Sequence, residues 1–340
     1  MLLISSDRLE VETRLFAPDL PDGHGLYAVL ASSLKSRPAP QFDVRRRMLR
    51  SISLSDPAHA NIKEHFETDT SADRPFWPES FFELDQVTIY RDSDEAEKRA
   101  ILLGCSRSVL AEAYYIEKCG MYFASKMCLL SESAQERMLY SLFAADEAVH
   151  FNWISGFAHA ESVKEFESSP FIRLLDEVLR KEDRTTLSYI VQVILEGWGI
   201  SHYHALAKSC LDDGLAAVFE NVIRDEGRHH AGGLALFNER RPGADILKRL
   251  TDLLEQLLLM VQAGPQMVVS QIDRVKGRLS QAQKARAFAE LDCEGATLNR
   301  IKTLKSLIKT AAGAELILSE LERKGSFRPY TASECAAASG

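Results

Sequence analysis

From about Glu95 to Arg240, apolar residues recur at helical spacing in long runs with few prolines, the pattern of amphipathic and buried helices rather than strands. The periodicity predicts helices over about 95–130, 133–159, 185–211 and 214–239, with a shorter one near Phe171–Arg180. Ser133 followed by Glu136 reads as a capping box opening the second helix, and Asp183 or Thr185 stands at the start of the third. Asp212-Asp213-Gly214 turns the chain into the fourth, and Pro242-Gly243 ends it. Short links join the first helix to the second and the third to the fourth, whereas about 25 residues, Glu161 to Thr185, separate the pairs. Two antiparallel hairpins joined by one long crossover follow from this layout.

The flanks read differently. Residues 1–94 are punctuated by stretches such as Arg37-Pro38-Ala39-Pro40 and Arg74-Pro75-Phe76-Trp77-Pro78, which predict loops and short helices packed on the bundle of 95–240. After Pro242, residues Leu247, Leu250, Leu253, Leu254, Leu257 and Leu258 form an apolar stripe that either packs on the bundle or makes a dimer contact. Further helices are expected over 265–277, 280–292, 296–311 and 312–324, so that 241–325 forms a C-terminal helical unit. Residues 326–340 read as a flexible, frayed tail. The fold class is all-α.

Composition narrows the function. A net charge of −8 leaves no basic surplus to neutralise phosphates, which argues against a nucleic-acid binder, and Arg45-Arg46-Arg47 reads as a solvated patch. The opening MLLISSDRLEVE lacks a basic segment followed by an apolar one, and the longest apolar stretch, near Leu254–Val261, is too short to span a bilayer. Six cysteines without a Cys-x-x-Cys read as reduced thiols, in keeping with a cytoplasmic protein.

The chemistry lies in a repeat. Asp146-Glu147-Ala148-Val149-His150 and Asp225-Glu226-Gly227-Arg228-His229 stand 79 residues apart, and each glutamate is preceded 30 positions upstream by another, Glu117 and Glu196. With 29 Glu and 9 His in the chain, chance alone gives about one Glu-x-x-His match. Two at the same offset from a second glutamate, each with an aspartate before the Glu, are not accidental. A Glu and a His three apart project from nearly one face of a helix, so each pair can hold one metal. Helix arithmetic agrees: Glu117 lies ~20 Å before its turn and Glu147 ~21 Å after it, so the two meet at one height.

Four carboxylates around one point repel severely unless divalent ions cancel the charge, and oxygen and nitrogen donors suit iron or manganese. Glu117 and Glu196 are assigned as single ligands, Glu147 and Glu226 as bridges, and His150 and His229 as terminal ligands; the same six residues carry the expected catalysis. Glu112 competes with Glu117, and the repeat favours Glu117. Asp146 and Asp225 are expected to hold an imidazole N–H, with Arg228 as a partner although its counterpart is Val149. His230, one turn from Glu226, is read as a pocket wall or supporting residue rather than a seventh ligand. Gly120 and Gly199, three after Glu117 and Glu196, either leave space for O2 or substrate or allow close helix packing. Tyr203 is placed at the pocket's border, and His202 and His204 at the surface.

These motifs resemble the ferritin-like diiron-carboxylate superfamily, which includes multicomponent hydroxylases, acyl-carrier-protein desaturases, arylamine N-oxygenases and ribonucleotide reductase small subunits. Asp225-Glu226-Gly227-Arg228-His229 is especially similar to the second metal motif of the desaturases and hydroxylases, and the resemblance covers roughly Glu95 to Arg240. It implies a ferritin-like four-helix bundle and two iron ions, with a manganese/iron pair as the alternative. O2 is the implied cosubstrate, and a separate reductase or ferredoxin supplies electrons. Two departures narrow it. Arylamine N-oxygenases carry an extra histidine where this chain has Val222, and the reductase subunits usually place a radical tyrosine where it has Ile154.

The expected function is a diiron monooxygenase that hydroxylates a small organic or carrier-bound substrate, in a homodimer away from membranes and nucleic acid. Desaturation or N-oxygenation on the same site, radical generation, and non-catalytic iron binding with ferroxidase activity are the alternatives.

Overall fold

The structure, a computed structural model, describes residues 74–339. The arginine run at 45–47 and the proline-punctuated stretch at 37–40 lie outside the described residues. Among the described residues there are helices and turns and no strand. The long helices are α1 (Glu95–Leu130), α2 (Ala134–Ser155) and α6 (Asp213–Arg240), joined by shorter α3 (Ala160–Phe166) and α4 (Pro170–Lys181). Between α4 and α6, helix α5 runs in three stretches: Arg184–Leu187, a π-helical Ser188–Glu196, and Gly197–Ser209. After α6 come α7 (Ala244–Gln262), α8 (Gln266–Lys276), α9 (Gln281–Glu290), α10 (Cys293–Lys309), α11 (Ala314–Arg323) and α12 (Ala332–Ala337), and short helical turns, the last Thr88–Arg91, precede α1.

Local chemistry sets the helix ends. Asp94 and Glu97 close a reciprocal capping box on α1, and Asp183 and Asp212 accept the first free N–H groups of α5 and α6. At α2 the expected box is half-formed. Ser133 accepts from the Glu136 N–H, but the Glu136 carboxylate turns away to pair with Arg184 and Arg240. Glu136 is buried, and two guanidinium groups satisfy a buried carboxylate better than one neutral N–H. These pairs also tie the α1–α2 hairpin to α5 and α6.

The leucine stripe packs inside the chain. Leu250, Leu254 and Leu258 of α7 are fully buried in an apolar cluster with Ile190, Val193 and Ile194 of α5 and Leu304 and Ile308 of α10. A second cluster gathers Val109 and Leu110 of α1, Trp153 of α2, and Leu215, Val218 and Phe219 of α6. The segment before α1 packs into it through Trp77, whose indole N–H donates to the Leu206 carbonyl at 2.9 Å.

The frayed tail expected after Ser326 is overturned for its described part. Thr331 and Glu334 form a capping box for α12, and Cys335 and Ala336 are buried against the Phe288 and Ala287 side of the core. Gln266 donates to the Cys335 carbonyl at 2.9 Å, and Arg328 pairs with Glu334. The Thr-x-x-Glu signal stood in the sequence, masked by the alanines beside it.

Candidate metal centre

The six proposed ligands come from four helices: Glu117 from α1, Glu147 and His150 from α2, Glu196 from the end of the π stretch of α5, and Glu226 and His229 from α6. They converge as two overlapping sets, Glu117, Glu147, His150 and Glu226, and Glu147, Glu196, Glu226 and His229. Within each set, one donor atom per residue lies within 4.8 Å of every other. Glu147 and Glu226 belong to both. All are buried except Glu196, which is half-buried. Glu112 belongs to neither set.

The donors point inward. His150 Nδ1 lies 3.4 Å from Glu117 Oε2 and 3.6 Å from Glu226 Oε1, and His229 Nδ1 lies 3.1 Å from Glu147 Oε1. Glu117 Oε2, Glu196 Oε2 and both Nδ1 atoms are buried without a hydrogen-bond partner. Orphaned polar atoms are costly in a protein interior. Four of them, a carboxylate oxygen and an imidazole nitrogen in each of the two sets, fit divalent cations with oxygen and nitrogen coordination.

The outward nitrogens are held crosswise. His150 Nε2 faces Asp225 Oδ2 at 3.1 Å, and His229 Nε2 faces Asp146 Oδ2 at 3.3 Å, so each hairpin's aspartate orients the other hairpin's imidazole. Arg228 reaches Asp225 at 2.8 Å and Asp146 at 3.3 Å. One guanidinium thus serves both aspartates, which explains why Val149 is not a second arginine.

Tyr203, expected at a pocket's border, is buried, and its phenol donates to Glu117 Oε1. His230 stands outside both ligand sets, with Nδ1 3.0 Å from the Gln192 carbonyl oxygen. Gly197, which the repeat does not single out, makes room for it, since a Cβ there would meet the His230 ring at 2.8 Å. Gly120 is filled space, because a Cβ would lie 2.2 Å from Glu147 Oε2, whereas one at Gly199 would meet nothing within 4 Å. His202 is half-buried rather than on the surface, and burial lowers its pKa, opposed by Glu112. His204 is exposed.

Gln192 is the residue that sequence reasoning missed. Fully buried in the π stretch, it accepts from the Tyr140 hydroxyl at 2.8 Å and donates to the His229 carbonyl at 3.1 Å. Its one sequence signal is a lone amide in the apolar run Tyr189–Leu195, four residues before Glu196.

Burial, reinforced by Glu226, pushes the Glu147 carboxyl up to about 8, and the same two causes raise Glu196 well above the carboxylate range. Burial alone would depress the imidazoles. The neighbouring carboxylates of Asp146 and Glu147 instead lift His229 to about 11, and those of Asp225, Glu117 and Glu226 raise His150 likewise. Protons thereby carry part of the positive charge that this carboxylate cluster demands. No protein-family model and no curated protein matches the chain. A helical protein with a buried glutamate–histidine cluster able to hold metal is what sequence and geometry together establish.

Proposed function

We propose that this chain is a non-haem diiron oxygenase on a ferritin-like four-helix bundle, using O2 to hydroxylate a small organic or carrier-bound substrate. The observation that carries this reading is the pair of overlapping ligand sets that share Glu147 and Glu226. Glu117 and His150 would hold one iron, Glu196 and His229 the other, and the two shared carboxylates would lie between them. A manganese/iron pair is the alternative loading. When bound, the metal pair supplies the redox equivalents and open coordination positions for O2 chemistry.

The chain's own residues have separate tasks. Asp225 and Asp146 fix the imidazoles so that Nδ1 faces the metals. Tyr203 occupies Glu117 Oε1 and leaves Oε2 for coordination. Apolar rings beside the imidazoles, Phe143 at His229 and Trp153 near His150, would help to exclude water. An external reductase or ferredoxin would supply electrons, and a cytoplasmic homodimer is the proposed setting. Among the described residues no helix is long and apolar enough to cross a membrane.

The test loads the full chain with Fe(II) without air, then adds O2 and a reductant. Two irons per chain and O2 consumption accelerated by a substrate are expected; fewer than two irons, or a rate that no candidate substrate changes, would count against the reading. A second reading, a radical-generating subunit, draws support from the Tyr203–Glu117 contact, which puts an oxidisable phenol on a ligand. It requires a persistent tyrosyl signal by electron paramagnetic resonance after oxygenation, lost in Tyr203→Phe.

A further inference from the structure

We propose that the two metal positions are unequal and fill in order, the Glu117/His150 position taking the first divalent ion, with Tyr203 as the positioning residue that makes it the tighter one. This rests on the dimetal reading above and adds an order and a cause to it.

The 79-residue repeat makes the comparison internal, because each residue of one half has a counterpart in the other. The histidines are treated alike: His150 has Asp225, His229 has Asp146, and Arg228 touches both aspartates. The single ligands are not. Tyr203 on α5 donates to Glu117 Oε1, and the residue 79 positions before it is Ala124, which has no group to offer Glu196.

Glu117 is therefore held by one oxygen with the other, Oε2, buried and unpartnered beside His150 Nδ1 at 3.4 Å. Glu196 Oε2 is likewise buried and unpartnered, but the residue as a whole is half-buried, Gly199 three residues on lies beside open space, and Glu196 ends a π-helical stretch rather than lying within a regular helix. π stretches are rare and sit mostly at functional sites, so Glu196 is presented from a less regular backbone than Glu117. A carboxylate fixed before the ion arrives loses less freedom on binding than one that must be ordered, and loss of such a supporting hydrogen bond weakens metal affinity by about 10–100-fold. The clamped half is the preorganised half.

The experiment titrates metal-free, full-length protein with Mn(II), following free ion by electron paramagnetic resonance and heat by calorimetry. The wild type should bind two ions in two resolved steps. Glu196→Gln should keep the first step at its original affinity, and Glu117→Gln should lose it. Tyr203→Phe keeps the ring that packs on Phe219 at 5.2 Å, so with unchanged circular dichroism its first step should weaken about tenfold or more while the second stays put.

Two equal steps in the wild type, or loss of the tight step in Glu196→Gln instead of Glu117→Gln, overturns the order. A folded Tyr203→Phe that titrates like the wild type overturns the role of Tyr203. Should Tyr203→Phe fail to fold, the glutamate pair still decides the order, and Tyr203→His, which restores a donor, replaces it: retained tightness supports the clamp, and wild-type folding with tenfold loss rejects a simple donor role. No Mn(II) uptake at all defeats the dimetal reading itself, an outcome distinct from equal uptake.

Discussion

Asp225 lies on α6 and reaches His150 on α2, a contact between residues 75 apart in the chain. The amide of Asp225→Asn would keep the size but lose the charge that holds the His150 Nε2–H, and metal affinity should fall about 10–100-fold. Isothermal titration with Mn(II) checks this; an unaltered affinity would remove Asp225 from the account. The convergence of the six proposed ligands was legible in the sequence because a repeated spacing on helices decides which side chains share a face. Which aspartate serves which imidazole was not, since that depends on how two hairpins dock, and no local spacing encodes it. Gln192 stayed hidden for a related reason: a single amide in an apolar run looks the same whether it is an anchor or an accident.

At the scale of elements, matched sequence positions do not guarantee matched surroundings. Gly120 and Gly199 are equivalent in the repeat, yet one lies under the Glu147 carboxylate and the other beside open space. Gly120→Ala should displace a shared ligand and lower metal stoichiometry below two, whereas Gly199→Ala should leave loading unchanged and raise helix stability by up to about 1 kcal/mol. Metal analysis beside thermal unfolding separates the two outcomes; equal loading in both would show that the crowding at Gly120 relaxes harmlessly. The helix positions were readable to within a few residues because apolar periodicity and caps agree. The π stretch was not, since its residues suit an α-helix equally well and tertiary bonds from Gln192 accompany the wider turn. The last helix, α12, was missed because an alanine-rich end resembles a loose tail unless its capping box is given weight.

For the whole molecule, the cluster sets a balance between protons and metal. With Glu147 pushed up to about 8 and His229 to about 11, the metal-free protein at pH 7 keeps protons on both groups. An arriving cation displaces them, so uptake should release protons, and apparent affinity should rise with pH through about 8 and on towards about 11. A weakly buffered indicator dye reads the release directly; uptake with no acidification, or affinity falling with pH, would contradict the balance.

The crosswise aspartates make the two halves of the cluster depend on each other. His150 meets Asp225 and His229 meets Asp146, so each contact is the mirror of the other under the 79-residue shift. Reciprocal pairing of that kind is what an interface between two identical subunits shows. Each imidazole is held by the other hairpin's aspartate, and each proposed ligand set draws on both hairpins. Within one polypeptide the two halves meet with the reciprocity of a two-fold interface, and Tyr203, whose counterpart is Ala124, is one place where they differ.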